Sequence, residues 1–332
     1  MKIPRQFILE IKRISWCILL LEIFILFLCS CSQKDLCYDH NHASRVNVKF
    51  DWRYSPESNA SSMLLYLIPT DSNYRTIKKE FIGKQGGYLQ ALVGVNYQVL
   101  GFNSDIENII FYEDEEEVMA TTKEAVTIDP IGIPVNTLPR AEGTKNQRVV
   151  MEADSLWSSL SDKDVYITLE DNDNDRICYQ TLYPRQRFCT YNIKVKKVEN
   201  SDKICSLVAA SVSGLAAGIR LSDGAKTAEK VIVPFSMSLT GDMELKGNFR
   251  CFGKIPDANI SNKLVIYAIL KDGSKWCYIY DITNQIDAAC DPFKVTIVLD
   301  KLPIPNKIEN NSGLTPRSQR LECCRHPDKN VI

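Results

Sequence analysis

The chain has 332 residues, 45% of them apolar and 24% charged, with a formal net charge of -1. That size and composition allow a substantial buried core and suit two domains. A net charge so close to zero supplies no bulk field to draw in nucleic acid or anionic lipid, and no nucleic-acid partner is expected.

The first thirty residues read as a secretory signal. Lys2, Arg5, Lys12 and Arg13 form a positive head, and Ile14 to Leu28 forms an apolar run too short for a comfortable span of ~20 residues. Leu28-Cys29-Ser30-Cys31 closes the run as a lipobox, with cleavage between Ser30 and Cys31 and a diacylglyceryl group on the Cys31 thiol. An uncleaved N-terminal anchor helix is the alternative, and Glu22 is an unusual residue inside the run. Each buried CH₂ of an acyl chain contributes about 0.8 kcal/mol, so two chains hold a protein firmly on a bilayer. Residues 31–44 then read as a lipidated polar tether, and no later apolar run reaches 18 residues.

Beyond the tether the pattern is all-β. Val46, Val48, Phe50 and Trp52 alternate with polar residues; Met63 to Ile68 is a continuous apolar run stopped by Pro69. Further strands are predicted at Tyr88–Val93, Asn96–Phe102 and Asn108–Tyr112, followed by a solvated acidic loop, Glu113 to Glu117. Three prolines and added glycines in Pro130 to Gly143 read as a linker, so a first sandwich over 45–129 and a connection over 130–153 are expected. Asp154 to Trp157 suggests a short helical turn. A second sandwich over 154–306 is predicted from strands at Val165–Leu169, Phe188–Val198, Ile204–Ser213, Lys230–Leu239, Leu245–Phe252, Leu264–Leu270, Trp276–Tyr280 and Phe293–Leu299. Asp272-Gly273 marks a hairpin between two of them.

The residue types argue against an enzyme. The three histidines are His40, His42 and His326, so the predicted sandwiches contain none. That removes Ser-His-Asp, Cys-His and histidine-rich zinc arrangements. Carboxylate pairs alone can hydrolyse glycosides, but no pair stands out. Asp171, Asp173 and Asp175 have the spacing of half a calcium loop, yet Arg176 stands where its glycine belongs and Leu182 where its glutamate belongs. They are weak metal candidates, with a polar turn as the ordinary reading. Cys37, Asp39, His40 and His42 lie too close together for an unstrained metal site, and no cofactor is expected. The seven remaining cysteines outside the signal, the lipobox and the tail (37, 178, 189, 205, 251, 277 and 290) show no CxxC spacing and read as free thiols rather than a disulfide framework.

Several stretches in order resemble the Bacteroidales fimbrillin-like lipoproteins. They are Cys31 with Lys34-Asp35-Leu36-Cys37-Tyr38-Asp39-His40, Val46 to Trp52, and Tyr97 to Leu100 leading to Asn103, Glu107 and Asn108. Later come Ser213 to Ile219, Gly247-Asn248-Phe249 with Phe252-Gly253, and Lys271-Asp272-Gly273 leading to Asp281-Ile282-Thr283. The resemblance implies two transthyretin-like or Ig-like β-sandwich domains and a subunit that anchors, assembles or decorates a fimbrium by strand addition. It also implies an acylated Cys31 in the outer membrane, other fimbrial subunits as partners and a role in adhesion. Gln33-Lys34-Asp35 resembles an export tag for the cell surface, and Arg140 matches the arginine after which stalk subunits are trimmed, though a flexible linker is its ordinary reading. A surface glycan- or nutrient-binding lipoprotein is the alternative function, with Trp52, Trp157 or Trp276 as sugar platforms.

Residues 307–332 read as a disordered tail, basic and without alternation after Pro316. Reading Arg317 onward one nucleotide later permits EVSVWNVVDIRIKM and a stop. That string alternates like a terminal strand and would make the tail a frameshift product.

Overall fold

The computed structural model describes residues 43–114, 117–168, 177–241, 243–306 and 322–325. The lipobox, the tether up to His42, the three Asp of the half calcium loop and all three histidines lie outside them, while Ala43 and Ser44, expected as the end of the tether, already belong to the first strand. The first strands are β1 (Ala43–Phe50), β2 (Ser62–Pro69), β3 (Ile77–Ile82), β4 (Gly86–Leu92), β5 (Asn96–Asn103), β6 (Ile109–Asp114) and β7 (Glu117–Thr122). Short ones follow: β8 (Thr127–Ile128), β9 (Ile133–Pro134), β10 (Arg148–Val149), β11 (Trp157–Leu160), β12 (Val165–Tyr166), β13 (Ile177–Leu182) and β14 (Arg185–Gln186). The rest are β15 (Cys189–Val195), β16 (Ile204–Ala216), β17 (Gly218–Arg220), β18 (Lys230–Thr240), β19 (Glu244–Cys251), β20 (Lys263–Leu270), β21 (Lys275–Asp281), α1 (Thr283–Asp287), β22 (Lys294–Leu299) and β23 (Glu322–Arg325). The expected all-β sandwich class is what the chain adopts.

Two sheets, β13-β1-β4 and β14-β11-β5-β2-β3, form the first sandwich. Period-two alternation drives it: Val46, Val48 and Phe50 of β1 point inward against Met63, Leu65 and Leu67 of β2 and Tyr97 and Val99 of β5. β11 and β12 pair with β5, and β13 pairs parallel with β1. Residues read in sequence as the start of the second unit thus complete the first, and Trp157–Leu160 is a strand, not a helical turn. Edge backbone groups of β1 and β5 need partners, and these segments supply them.

The second sandwich is one long sheet, β22-β15-β19-β18-β16-β20-β21-β23, wrapped round its own apolar face, with β10 beside β18. Wrapping brings the chain after β22 back to β21, where the hydroxyls of Tyr278 and Tyr280 donate to the carbonyls of Pro303 and Lys301 at 3.1 Å each. β23 lies parallel to β21, so part of the stretch expected to be disordered is a strand. Cys277 on β21 is disulfide-bonded, against the reading of free thiols. Cys189, Cys205, Cys251 and Cys290 are free.

A third layer, β17-β7-β6, and a shared core join the two sandwiches. Tyr66, Leu100 and Phe102 on the back of the first sandwich pack with Ala120, Ile219 and Phe252. The passage from β16 to β17 depends on Gly214, whose φ of +77° forms a bulge. A Cβ there would lie 2.7 Å from the Ser261 carbonyl oxygen, and Asn262 Nδ2 donates to the Ser213 and Gly214 carbonyls at 3.0 Å.

The expected linker is packed. Ile128, Leu138 and Ala141 cover Ala209, Val265 and Tyr267 on the outer face of the long sheet. Tyr267 donates to the Pro139 carbonyl at 3.0 Å, and Arg140 donates to the carbonyls of Lys145 and Gln147 at 2.9 Å each. Arg140 therefore sits in a held loop instead of a flexible one.

Candidate functional site

The side chains that sequence marked for chemistry or sugar binding mostly serve the fold. Trp157 is buried and meets Trp52 and Phe188 edge-to-face at 6.1 and 5.6 Å. Trp52 also donates its indole N–H to the Lys84 carbonyl at 2.7 Å. Trp276 packs on the second core and bonds Ser274 Oγ at 3.1 Å. None of the three stands free as a platform. Of the acidic run, Glu113 on β6 pairs with Lys78 at 2.5 Å and Glu117 on β7 with Arg220 at 2.7 Å, and residues 115 and 116 lie outside the described residues. Among the described residues no three His, Cys, Asp or Glu side chains converge as metal ligands.

Buried polar groups likewise read as structural. Cys189 and Cys251 face each other across β15 and β19, and burial pushes both thiols up, away from a reactive thiolate. Burial also pulls the Arg187 guanidinium down. It donates to Ser158 Oγ at 2.7 Å and to the Asp223 carbonyl at 2.8 Å, fastening β11 to the loop after β17.

What the fold does offer is backbone at sheet edges. Among the described residues β6 pairs only with β7, and its solvent face carries Ile110 and Tyr112, both exposed. An edge with unpaired N–H and C=O groups beside apolar side chains can accept an added strand. The β22 edge is guarded instead. Gln285 of α1 accepts from the Val298 N–H at 2.8 Å and donates to the Val298 carbonyl at 3.1 Å, occupying at that residue the groups a partner strand would use. On β3, Lys78, Lys79 and Glu80 interrupt the apolar pattern in the same protective sense. The edge at β6 was not legible in sequence, because the acidic run concealed β7, and exposure of Ile110 depends on which neighbour β6 pairs with.

A family model described as a domain of unknown function, DUF5119, matches residues 30–236. No curated protein matches the chain. Among solved structures, a candidate adhesin from Bacteroides ovatus ATCC 8483 covers 83% of this chain and 99% of its own, with a TM-score of 0.58 at 18% identity. The two share a fold. The fimbrial anchor protein Mfa2 from Porphyromonas gingivalis covers 77% of this chain and 90% of its own, with a TM-score of 0.49 at 11% identity. A candidate cell adhesion protein from Bacteroides eggerthii DSM 20697 covers 79% and 87%, with a TM-score of 0.41 at 10% identity.

Proposed function

The chain belongs to the family of DUF5119 domains, and from that premise we propose that it is a lipid-anchored surface protein of the fimbrial or adhesin type. The observation that carries the reading is the fold shared along nearly the whole length of the Bacteroides ovatus candidate adhesin. In this reading the chain is cleaved between Ser30 and Cys31, and the acylated Cys31 holds a non-catalytic body at the outer membrane, facing outward. Two acyl chains supply the affinity, at about 0.8 kcal/mol per buried CH₂. The open β6 edge, with Ile110 and Tyr112, is where another fimbrial subunit adds a strand, its main chain pairing and its alternate side chains packing on the exposed pair.

Two measurements test this. Mass spectrometry of the mature N-terminal peptide should find a diacylglyceryl thioether on Cys31, and Cys31→Ala should lack both that modification and the cleavage that depends on it. A paired Ile110→Lys and Tyr112→Lys variant should keep its melting temperature and lose co-purifying subunits. A bare Cys31 rejects the anchor; unchanged surface filaments in a deletion strain, with no subunit cross-linked at β6, reject the fimbrial role.

A further inference from the structure

We propose that the open seam of the first sandwich binds an acidic glycan, one bearing carboxylates. This extends the surface role by naming a ligand and relies on that reading only for where the protein is displayed. The seam is a cleft of about 400 Å³ between the edge strands β3 and β4, lined by Ile77, Lys79, Leu89, Tyr88, Gln90 and Arg45 among others. That volume lies within the range of small-molecule sites, which run roughly from 300 to 1,000 Å³.

Charge and geometry select the occupant. Neither Arg45 nor Lys79 has an ion-pair partner among the described residues, whereas Lys78 beside them is neutralised by Glu113. The Arg45 guanidinium lies 4.2 Å from the centroid of the Tyr88 ring. Stacking orients it while leaving its N–H edge free to fork onto a carboxylate. Lys79 occupies the core-facing side of β3, opposite Leu65, in line with Ile77 and Phe81. An inward lysine at a sheet edge opposes an added strand, which would have to bury it. It does not oppose an anion. β3 pairs only with β2 and β4 only with β1 among the described residues, so main-chain donors and acceptors border the cleft. Hydroxyls, which both donate and accept, suit such a border.

A second feature extends the site along the sheet. The register places Tyr88, Asn47 and Tyr179 in one row across β4, β1 and β13, on the solvent face. Tyr179 is 72% exposed. Two inter-strand steps of about 4.8 Å separate the tyrosines by ~9.6 Å. Rigid rings at that spacing suit alternate pyranoses of an extended chain, and Lys49 on the same face adds a further cation. Neighbouring bases of a single nucleic-acid strand would need platforms set more closely.

The test uses the full chain and three probes: oligogalacturonate, 3′-sialyllactose and lactose, with a single-stranded DNA oligonucleotide as polyanion control. Binding of at least one acidic sugar, weakened by added NaCl, is expected, with lactose and DNA far weaker. The two acidic probes separate a uronate ligand from a sialate one. Arg45→Gln and Lys79→Gln should each weaken binding about tenfold, the loss of one charge-assisted hydrogen bond. Tyr179→Ala should affect the oligomer and spare the short sugar. All three side chains are at the surface, so melting temperatures serve as the folding control. Affinity unchanged in Arg45→Gln and Lys79→Gln, DNA bound as well as sugar, or no acidic sugar bound overturns the proposal. None of these outcomes bears on acylation of Cys31 or on strand addition at β6.

Discussion

Phe102→Ala tests whether the shared core makes the two sandwiches one cooperative unit. Phe102 on β5 is fully buried and meets Tyr66 and Phe111 edge-to-face at 5.3 and 4.5 Å. The cluster around it includes Ala216, Ile219 and Phe252 from the second half of the chain. Truncating a buried phenylalanine costs about 3–5 kcal/mol, the transfer free energy plus the cavity left behind. For a unit of this size each kcal/mol lowers the melting temperature by about 2 °C, so a fall of about 6–10 °C is expected. Scanning calorimetry should show one transition, displaced as a whole, and Phe252→Ala from the opposite side should displace the same transition. Two transitions in the native protein, with Phe102→Ala moving only one, would refute the coupling.

Glu152 and the turn between β3 and β4 yield further tests. Burial holds the Glu152 carboxyl above the usual carboxylate range despite a main-chain hydrogen bond at Arg250. A raised acid favours the folded state below the ordinary value of about 4.3, and that contribution is lost as pH rises through the folded value. Glu152→Gln should therefore melt higher than the native protein at neutral pH and equally at about pH 4; a lower melting temperature at neutral pH would contradict this. In the turn, Gly83 and Gly86 both have positive φ, +91° and +93°. A Cβ at Gly83 meets nothing, while one at Gly86 would lie 2.1 Å from the Val48 carbonyl oxygen. Gly83→Ala should cost about 1–2 kcal/mol for the backbone conformation alone, and Gly86→Ala clearly more by chemical denaturation. Equal costs would show that the close approach of β4 to β1 is slack.

Local alternation made much of the fold legible. β1, β5 and β22 were readable because every second residue faces a core, and the β20–β21 hairpin because Asp272-Gly273 sets a tight turn. What escaped was non-local. β13 belongs to the first sandwich through parallel pairing with β1, which no pattern within either strand encodes. Pro130 to Gly143 has the composition of a linker, yet the long sheet has a second apolar face, and Ile128, Leu138 and Ala141 cover it. β3 was hidden by Lys78 and Lys79, polar on both faces, since an edge strand at an open seam need not bury every inward residue. The proposed glycan surface was illegible for the same reason. Alternation alone turns Arg45 and Asn47 of β1 outward, but only the register brings Tyr88 from one neighbouring strand and Tyr179 from the other onto a single row with them. A sequence reader looking for sugar platforms is drawn to the tryptophans, which bury the most apolar surface and so go to the core. The tyrosines left outside are arranged by pairing partners that neither strand specifies by itself.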